Sequence, residues 1–141
     1  MRGLVPGRDA LKRTVRAGTN IFGEPATVLM RTEVLRAVGG WWGEFPYVID
    51  EATYALVLLQ GDAYAVDRAI AAFRVSDGQW SVDLASQQAA QVIAFHDALA
   101  ARSPDLLSKA DLRRGAVMAK ALGQARRLVY LAMRRRMSTA E

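Results

Sequence analysis

The sequence predicts an α/β fold of α+β-like character, in which a few short strands are packed by helices and followed by a helical tail. Three observations lead there. Short apolar runs bounded by Gly, Pro and Asp alternate with segments of helical spacing. A helix must stop or kink at Ser103-Pro104, which is the best domain boundary in the chain. Beyond it the spacing is helical again, with cations recurring every seven residues. Residues 1–104 therefore form a body and residues 105–141 a basic amphipathic tail. With 141 residues, 52% of them hydrophobic, the chain is long enough for one modest core.

Each element follows from local signals. Residues 8–17 form a short charged helix that Gly18 is placed to stop. Asn20 to Pro25 read as a loop, and residues 26–30 as a short apolar strand. Thr32 is placed to cap a short helix ending at Gly39-Gly40. The stretch from Trp41 to Tyr47 is aromatic, broken by Gly, and irregular, which suits a pocket wall. Residues 50–60 have helical spacing and end at Gly61. Residues 63–66 and 69–75 are short enough to be strands, and Ser81 is placed to cap a long helix running to about Arg102. From about Lys109 a last helix carries Arg113, Lys120, Arg127 and Arg134 on one stripe. At 100° per residue, Met118, Leu122, Ala125, Val129 and Ala132 lie opposite.

Composition narrows the function classes. The absence of cysteine excludes a disulfide scaffold and a thiolate metal site. No run of eighteen uncharged apolar residues occurs, and the first residues lack an apolar run of signal-peptide length. The expected location is the cytoplasm, with a peripheral contact at the inner membrane face. The net charge of +5 is divided unevenly: residues 1–108 hold ten Lys/Arg and twelve Asp/Glu, whereas residues 109–141 hold nine and two. The basic stripe would suit phosphates, but Tyr130 is the tail's only aromatic and no reading motif accompanies it. Nucleic acid is therefore not the expected partner.

Three blocks in order carry a resemblance. The first is Asn20 to Arg31 followed by Val38-Gly39-Gly40. The second is Tyr47-Val48-Ile49-Asp50, a helix, and Gly61-Asp62. The third is Ala72-Phe73-Arg74-Val75-Ser76 with Trp80-Ser81. Together they resemble the carboxy-terminal, acceptor-side half of family 2, GT-A-type glycosyltransferases. The resemblance implies a partial GT-A-type fold and transfer of sugar from a nucleotide-sugar donor to an acceptor hydroxyl. It places the catalytic base at Asp50, where an inverting reaction needs a carboxylate to take the hydroxyl proton. The structural alternative for Asp50 is a helix cap. Glu51 would assist the base or favour the helix dipole. Arg74 would neutralise developing phosphate charge, or remain a solvated strand-end arginine. Trp41, Trp42 and Tyr47 are candidates for stacking on a sugar or a lipid-linked acceptor, against the alternative of core packing. Gly23, Glu24 and Pro25 would shape the pocket floor, or form a plain turn.

The chain departs from the family pattern at Ala52, Leu56 and Ser76, where many members carry Asp, Arg and a metal-contacting His. Those departures imply no metal ligand and no cofactor from this half. The Asp-any-Asp motif that holds a divalent metal (Mg or Mn) and the sugar nucleotide does not occur in these residues. The expected partners are therefore a nucleotide-sugar donor and a glycan or lipid-linked acceptor in the complete enzyme, a complementary N-terminal half or a second copy, and a membrane surface for Arg113, Lys120, Arg127 and Arg134; the alternative for the tail is that its apolar face packs on the body while these cations remain solvated. Alone, the chain is expected to be inactive, and a non-catalytic interaction module derived from such an enzyme is the alternative. His96, the single histidine, falls on the apolar stripe of its helix and reads as a packed residue.

Overall fold

Gly7–Ala17 forms helix α1, whose buried residues Ala10, Leu11, Thr14 and Val15 make a one-sided stripe. The computed structural model describes residues 2–72 and 87–138, with side chains in the last helix described through Arg127 and at Val129. Gly18 ends α1 at φ 65°, its amide donating to the carbonyls of Thr14 and Val15. A left-handed residue at this position favours glycine.

Among the described residues the remaining helices are α2 (Thr32–Ala37), α3 (Ile49–Leu58), α4 (Gln88–Arg102) and α5 (Lys109–Ser138). Strands β1 (Gly3–Val5) and β2 (Ala63–Ala65) pair antiparallel in the register Gly3↔Ala65, Leu4↔Tyr64, Val5↔Ala63. One sheet face sends Val5 into the core, while Leu4 and Tyr64 on the other are exposed. The architecture is helix-rich α+β, with one two-stranded sheet among the described residues.

The core lies where α1, α3, α4 and α5 meet, centred on Leu11, Val15, Ala55, Phe95 and Leu99. Helix α5 packs on both α1 and α4. It does so through Asp111, Gly115, Ala119 and Gly123, all buried. The approach is close: a Cβ on Gly115 would sit 2.4 Å from the Val15 carbonyl oxygen and 3.1 Å from His96 Nδ1. The tail thus contributes to the same core as the body. Its start is a capping box, in which Ser108 Oγ accepts the Asp111 amide at 3.2 Å and Asp111 Oδ2 accepts the Ser108 amide at 3.0 Å.

Several sequence expectations need correction. Residues 26–30 are not a strand: Pro25–Thr27 is a turn of 3₁₀ helix, and the Thr27 amide and hydroxyl both donate to the Glu24 carbonyl. Local hydrogen bonds, together with a proline that cannot donate, replace the ladder. Thr32 lies inside α2, with Arg31 at the cap position and no side-chain cap bond. Residues 69–72 join no strand, while residues 73–75 and Ser81 lie outside the described residues. On α5 the described part of the predicted apolar stripe is not the packed face, since Met118, Ala125 and Val129 are exposed and Leu122 is partly buried, while the Ala132 side chain lies outside the described residues. Small residues won that face because only they allow two helix backbones to approach so closely.

Candidate functional site

Helix α3 begins with two carboxylates that have different environments. Asp50 is half-buried, and Glu51 is fully buried. Asp50 is not the N-cap; it lies within the first turn, and its Oδ1 accepts the Glu51 amide at 2.7 Å. Its Oδ2 accepts a hydrogen bond from Asn20 Nδ2 at 2.9 Å. Each oxygen retains a further lone pair for a third donor. Burial raises the Asp50 pKa above the ordinary carboxylate value, with the Glu51 amide and Asn20 pulling the other way.

Asn20 organises the loop in front of this pair. Its Oδ1 accepts the amides of Phe22 (2.8 Å) and Gly23 (3.3 Å), and its Nδ2 also donates to the Gly23 carbonyl (3.1 Å). With the bond to Asp50, the whole donor and acceptor capacity of this amide is used. Gly23, Glu24 and Pro25 therefore form the rim of a side-chain-stabilised turn. The Glu24 pKa is raised by burial and by the Asp50 charge.

Glu51 Oε1 lies 2.7 Å from Thr14 Oγ1, and Thr14 Oγ1 lies 3.0 Å from the Thr19 carbonyl oxygen. A hydroxyl has one proton to give. With Glu51 ionised, Thr14 can serve only one of these acceptors. With Glu51 protonated, the acid donates to Thr14 and Thr14 donates to Thr19, so both bonds form. This fits the pKa of Glu51, pushed up to about 7 by burial and by Asp50 against the pull of Thr14 and Arg126. Oε2 of Glu51 has no hydrogen-bond partner among the described residues.

Tyr54, one turn after Asp50, packs edge-on against Phe22, with ring centroids 6.0 Å apart. Its buried hydroxyl has no hydrogen-bond partner among the described residues, and its pKa is raised by burial, Asp50 and Glu24. A cavity of about 500 Å³ shares Phe22 and Tyr54 with the carboxylate cluster, and its other walls include Val28, Met30, Tyr64 and Ile70. Among the described residues no three His, Asp or Glu side chains group so as to hold a metal ion.

The aromatic candidates separate. Trp42 packs edge-on against Phe45 and Phe95, with centroids 5.2 and 6.2 Å away, and Arg102 lies over its ring at 5.3 Å. Its indole N–H donates to Glu44 and its amide to Thr53 Oγ1, so this side chain is engaged by the body. Trp41 is 49% exposed. Tyr47 is half-buried, its amide donating to Gln91 Oε1 and its hydroxyl accepting from Arg126. Tyr47 thus joins the site, whereas Trp42 belongs to the core.

Arg74 lies outside the described residues, as does the Arg134 side chain. Arg113, Lys120 and Arg127 are exposed on α5. No helix among the described residues is long and apolar enough to cross a membrane. Thr14, Thr19, Tyr54 and Arg126 join the cluster without having been singled out in the sequence, and Asn20, quoted there only within a motif, joins it as well. Tyr54 had one usable signal, since i and i+4 share a helix face. Arg126 had none, since 107 residues separate it from Thr19. No protein-family model, no curated protein and no solved structure matches this chain.

Proposed function

We propose that the chain is the acceptor-side part of a GT-A-like, nucleotide-sugar-dependent glycosyltransferase in which Asp50 is the general base. The observation that supports this best is the state of Asp50 itself. It is half-buried and raised in pKa, is braced through both oxygens, and lies one helical turn before Tyr54, which lines the cavity. A raised pKa brings a carboxylate closer to the strength that proton transfer near neutrality favours. In the proposed step the acceptor oxygen bonds to the anomeric carbon, its proton passes to a free lone pair of Asp50, and the nucleoside diphosphate leaves. Asn20 and the Glu51 amide fix the direction in which that lone pair points. Protonated Glu51 adds no second negative charge beside the base.

The donor phosphates need a second set of residues, because no Asp-any-Asp motif occurs in the 141 residues. The active form we propose therefore includes a complementary donor-binding half, with its divalent metal held there. The test is transfer by the reconstituted enzyme with Asp50→Asn. A drop in kcat of about 10²–10⁴-fold is expected for loss of a general base, and unchanged turnover would remove Asp50 from the mechanism. The 141-residue chain alone should show no multiple turnover.

A second reading has its own observation. Leu4, Leu29, Tyr64, Val66 and Ile70 are at least half-exposed around the small sheet, so the chain presents apolar surface of the kind that binds partners. If purified chain shows no response to sugar nucleotide or acceptor in thermal melts, even beside the complementary half, an interaction module becomes the better account.

A further inference from the structure

Arg126 reaches the carboxylate cluster from the far end of the chain. Its Nη1 donates to the Tyr47 hydroxyl at 3.1 Å and its Nη2 donates to Thr19 Oγ1 at 2.8 Å. These acceptors flank the site on both sides. Thr19 precedes Asn20, the residue that holds Asp50, and its carbonyl lies at hydrogen-bond distance from Thr14, which also meets Glu51. Tyr47 stands three residues before Asp50, in the 3₁₀ turn Pro46–Val48 that leads into α3. A planar guanidinium can hold two acceptors at a fixed separation, which an ammonium cannot do.

We propose that Arg126 is a positioning residue: it clamps Thr19 to Tyr47, and through them keeps Asn20 on Asp50 and Thr14 on Glu51. The proposed chemistry supplies the role of Asp50 and rests on the transferase reading, while the clamp itself rests only on this geometry. The groups facing Glu51 are Asp50 on its own helix, Thr14 on α1 and Arg126 on α5. Arg126 is the cation whose field favours ionised Glu51. The last helix is thereby part of the site, independently of its basic stripe.

The test uses the intact 141-residue chain with Arg126→Gln and Arg126→Lys. Two readouts are followed by NMR: hydrogen exchange at the amides of Phe22 and Gly23, which donate to Asn20, and the titration of the Glu51 side-chain carboxyl carbon. Arg126→Gln should speed exchange at Phe22 and Gly23 at least ten-fold while the Leu11 and Val15 amides inside α1 keep their rates. It should also move the Glu51 midpoint upward. Arg126→Lys retains the charge and loses the fork, so it should leave the Glu51 midpoint close to wild type and still loosen Phe22 and Gly23. Unchanged exchange at both amides in either variant would overturn the clamp. So would a uniform rise in exchange that includes Leu11 and Val15. If Asp50→Asn leaves transfer intact while both NMR responses appear, Asp50 is not the base and the clamp stands; if the reconstituted enzyme shows no transfer at all while both responses appear, the transferase reading fails and the clamp stands.

Discussion

Glu51 and His96 are both buried, both ionisable and both placed against helix α1 or its partners, yet their surroundings differ. Glu51 meets Thr14, Asp50 and Arg126, and its proton is tied to a hydrogen-bond chain that ends at the Thr19 carbonyl. His96 packs against Phe95, with ring centroids 5.5 Å apart, and lies under the backbone of Gly115; neither ring nitrogen has a hydrogen-bond partner among the described residues. Burial moves each toward its neutral form, Glu51 up to about 7 and His96 down to about 4. The difference teaches how to separate two kinds of buried polar residue. One sits in a network that could pass or orient a proton. The other fills space between helices, and its polarity is a liability.

The comparison breaks most severely at the helix seam. Gly115→Ala would drive a Cβ into the Val15 carbonyl and against His96, and backbone cannot yield as a flexible side chain can. A loss of about 3 kcal/mol is expected for such overpacking, read as a lowered midpoint in urea with an unchanged m-value. A variant as stable as wild type would mean that α1 and α5 are farther apart than described.

Glu51→Gln sharpens the contrast from the other side. The folded-state pKa of Glu51 is raised, so the folded protein binds the proton more tightly than the unfolded chain. Stability is therefore lost as pH rises from about 4.5 to about 7, and the loss is complete above that. Removing the charge should stabilise the protein at pH 8 by up to about 3 kcal/mol and do little at pH 4.5. Denaturant melts at the two pH values decide it, and equal effects at both would show that Glu51 is not held neutral.

His96 has the opposite dependence. Its folded-state pKa is lowered, so stability is full above about 6.5 and erodes as pH falls toward about 4, by about 1.4 kcal/mol per pH unit. His96→Leu should flatten that acid limb, making the variant about 2 kcal/mol more stable than wild type near pH 5, with a smaller gain at pH 7.5. An acid limb of unchanged steepness in the variant would assign it elsewhere. The smallest effect belongs to the surface. If the stripe on α5 meets an anionic membrane, Arg113→Glu together with Lys120→Glu should weaken co-sedimentation with anionic vesicles, each lost cation removing about 1 kcal/mol. Identical binding at low salt would leave the stripe as a solvated face.

What the sequence made legible was mostly what local chemistry determines. Gly18 and the Ser103-Pro104 step marked the ends of α1 and α4, and the helix from about Lys109 begins where its period starts. Asp50 stood out only through the resemblance, since a carboxylate at a helix start is by itself more often a cap. The errors were tertiary. The apolar run at residues 26–30 had strand character, but no strand among the described residues lies beside it, and Pro25 with Thr27 closed a local turn instead. On α5 hydrophobicity pointed to Met118 and Val129, whereas the packed face was chosen by how close Gly115 could bring two backbones. Arg126 was invisible for a related reason, since nothing within ten residues of it refers to Thr19 or Tyr47.

The meeting of the first helix with the last also sets an order of events during synthesis. Arg16 is ion-paired with Asp111, 95 residues later, and Thr19 is held by Arg126, 107 residues later. Contacts so distant along the chain are slow to close, because the intervening loop must be ordered before they can form. As the chain emerges, α1 exists long before the surface that buries Leu11 and Val15. A product interrupted between residues 60 and 125 would carry both Asp50 and Glu51 but would lack the arginine that clamps the loop beside them. The candidate site therefore cannot be completed until Arg126 has left the ribosome.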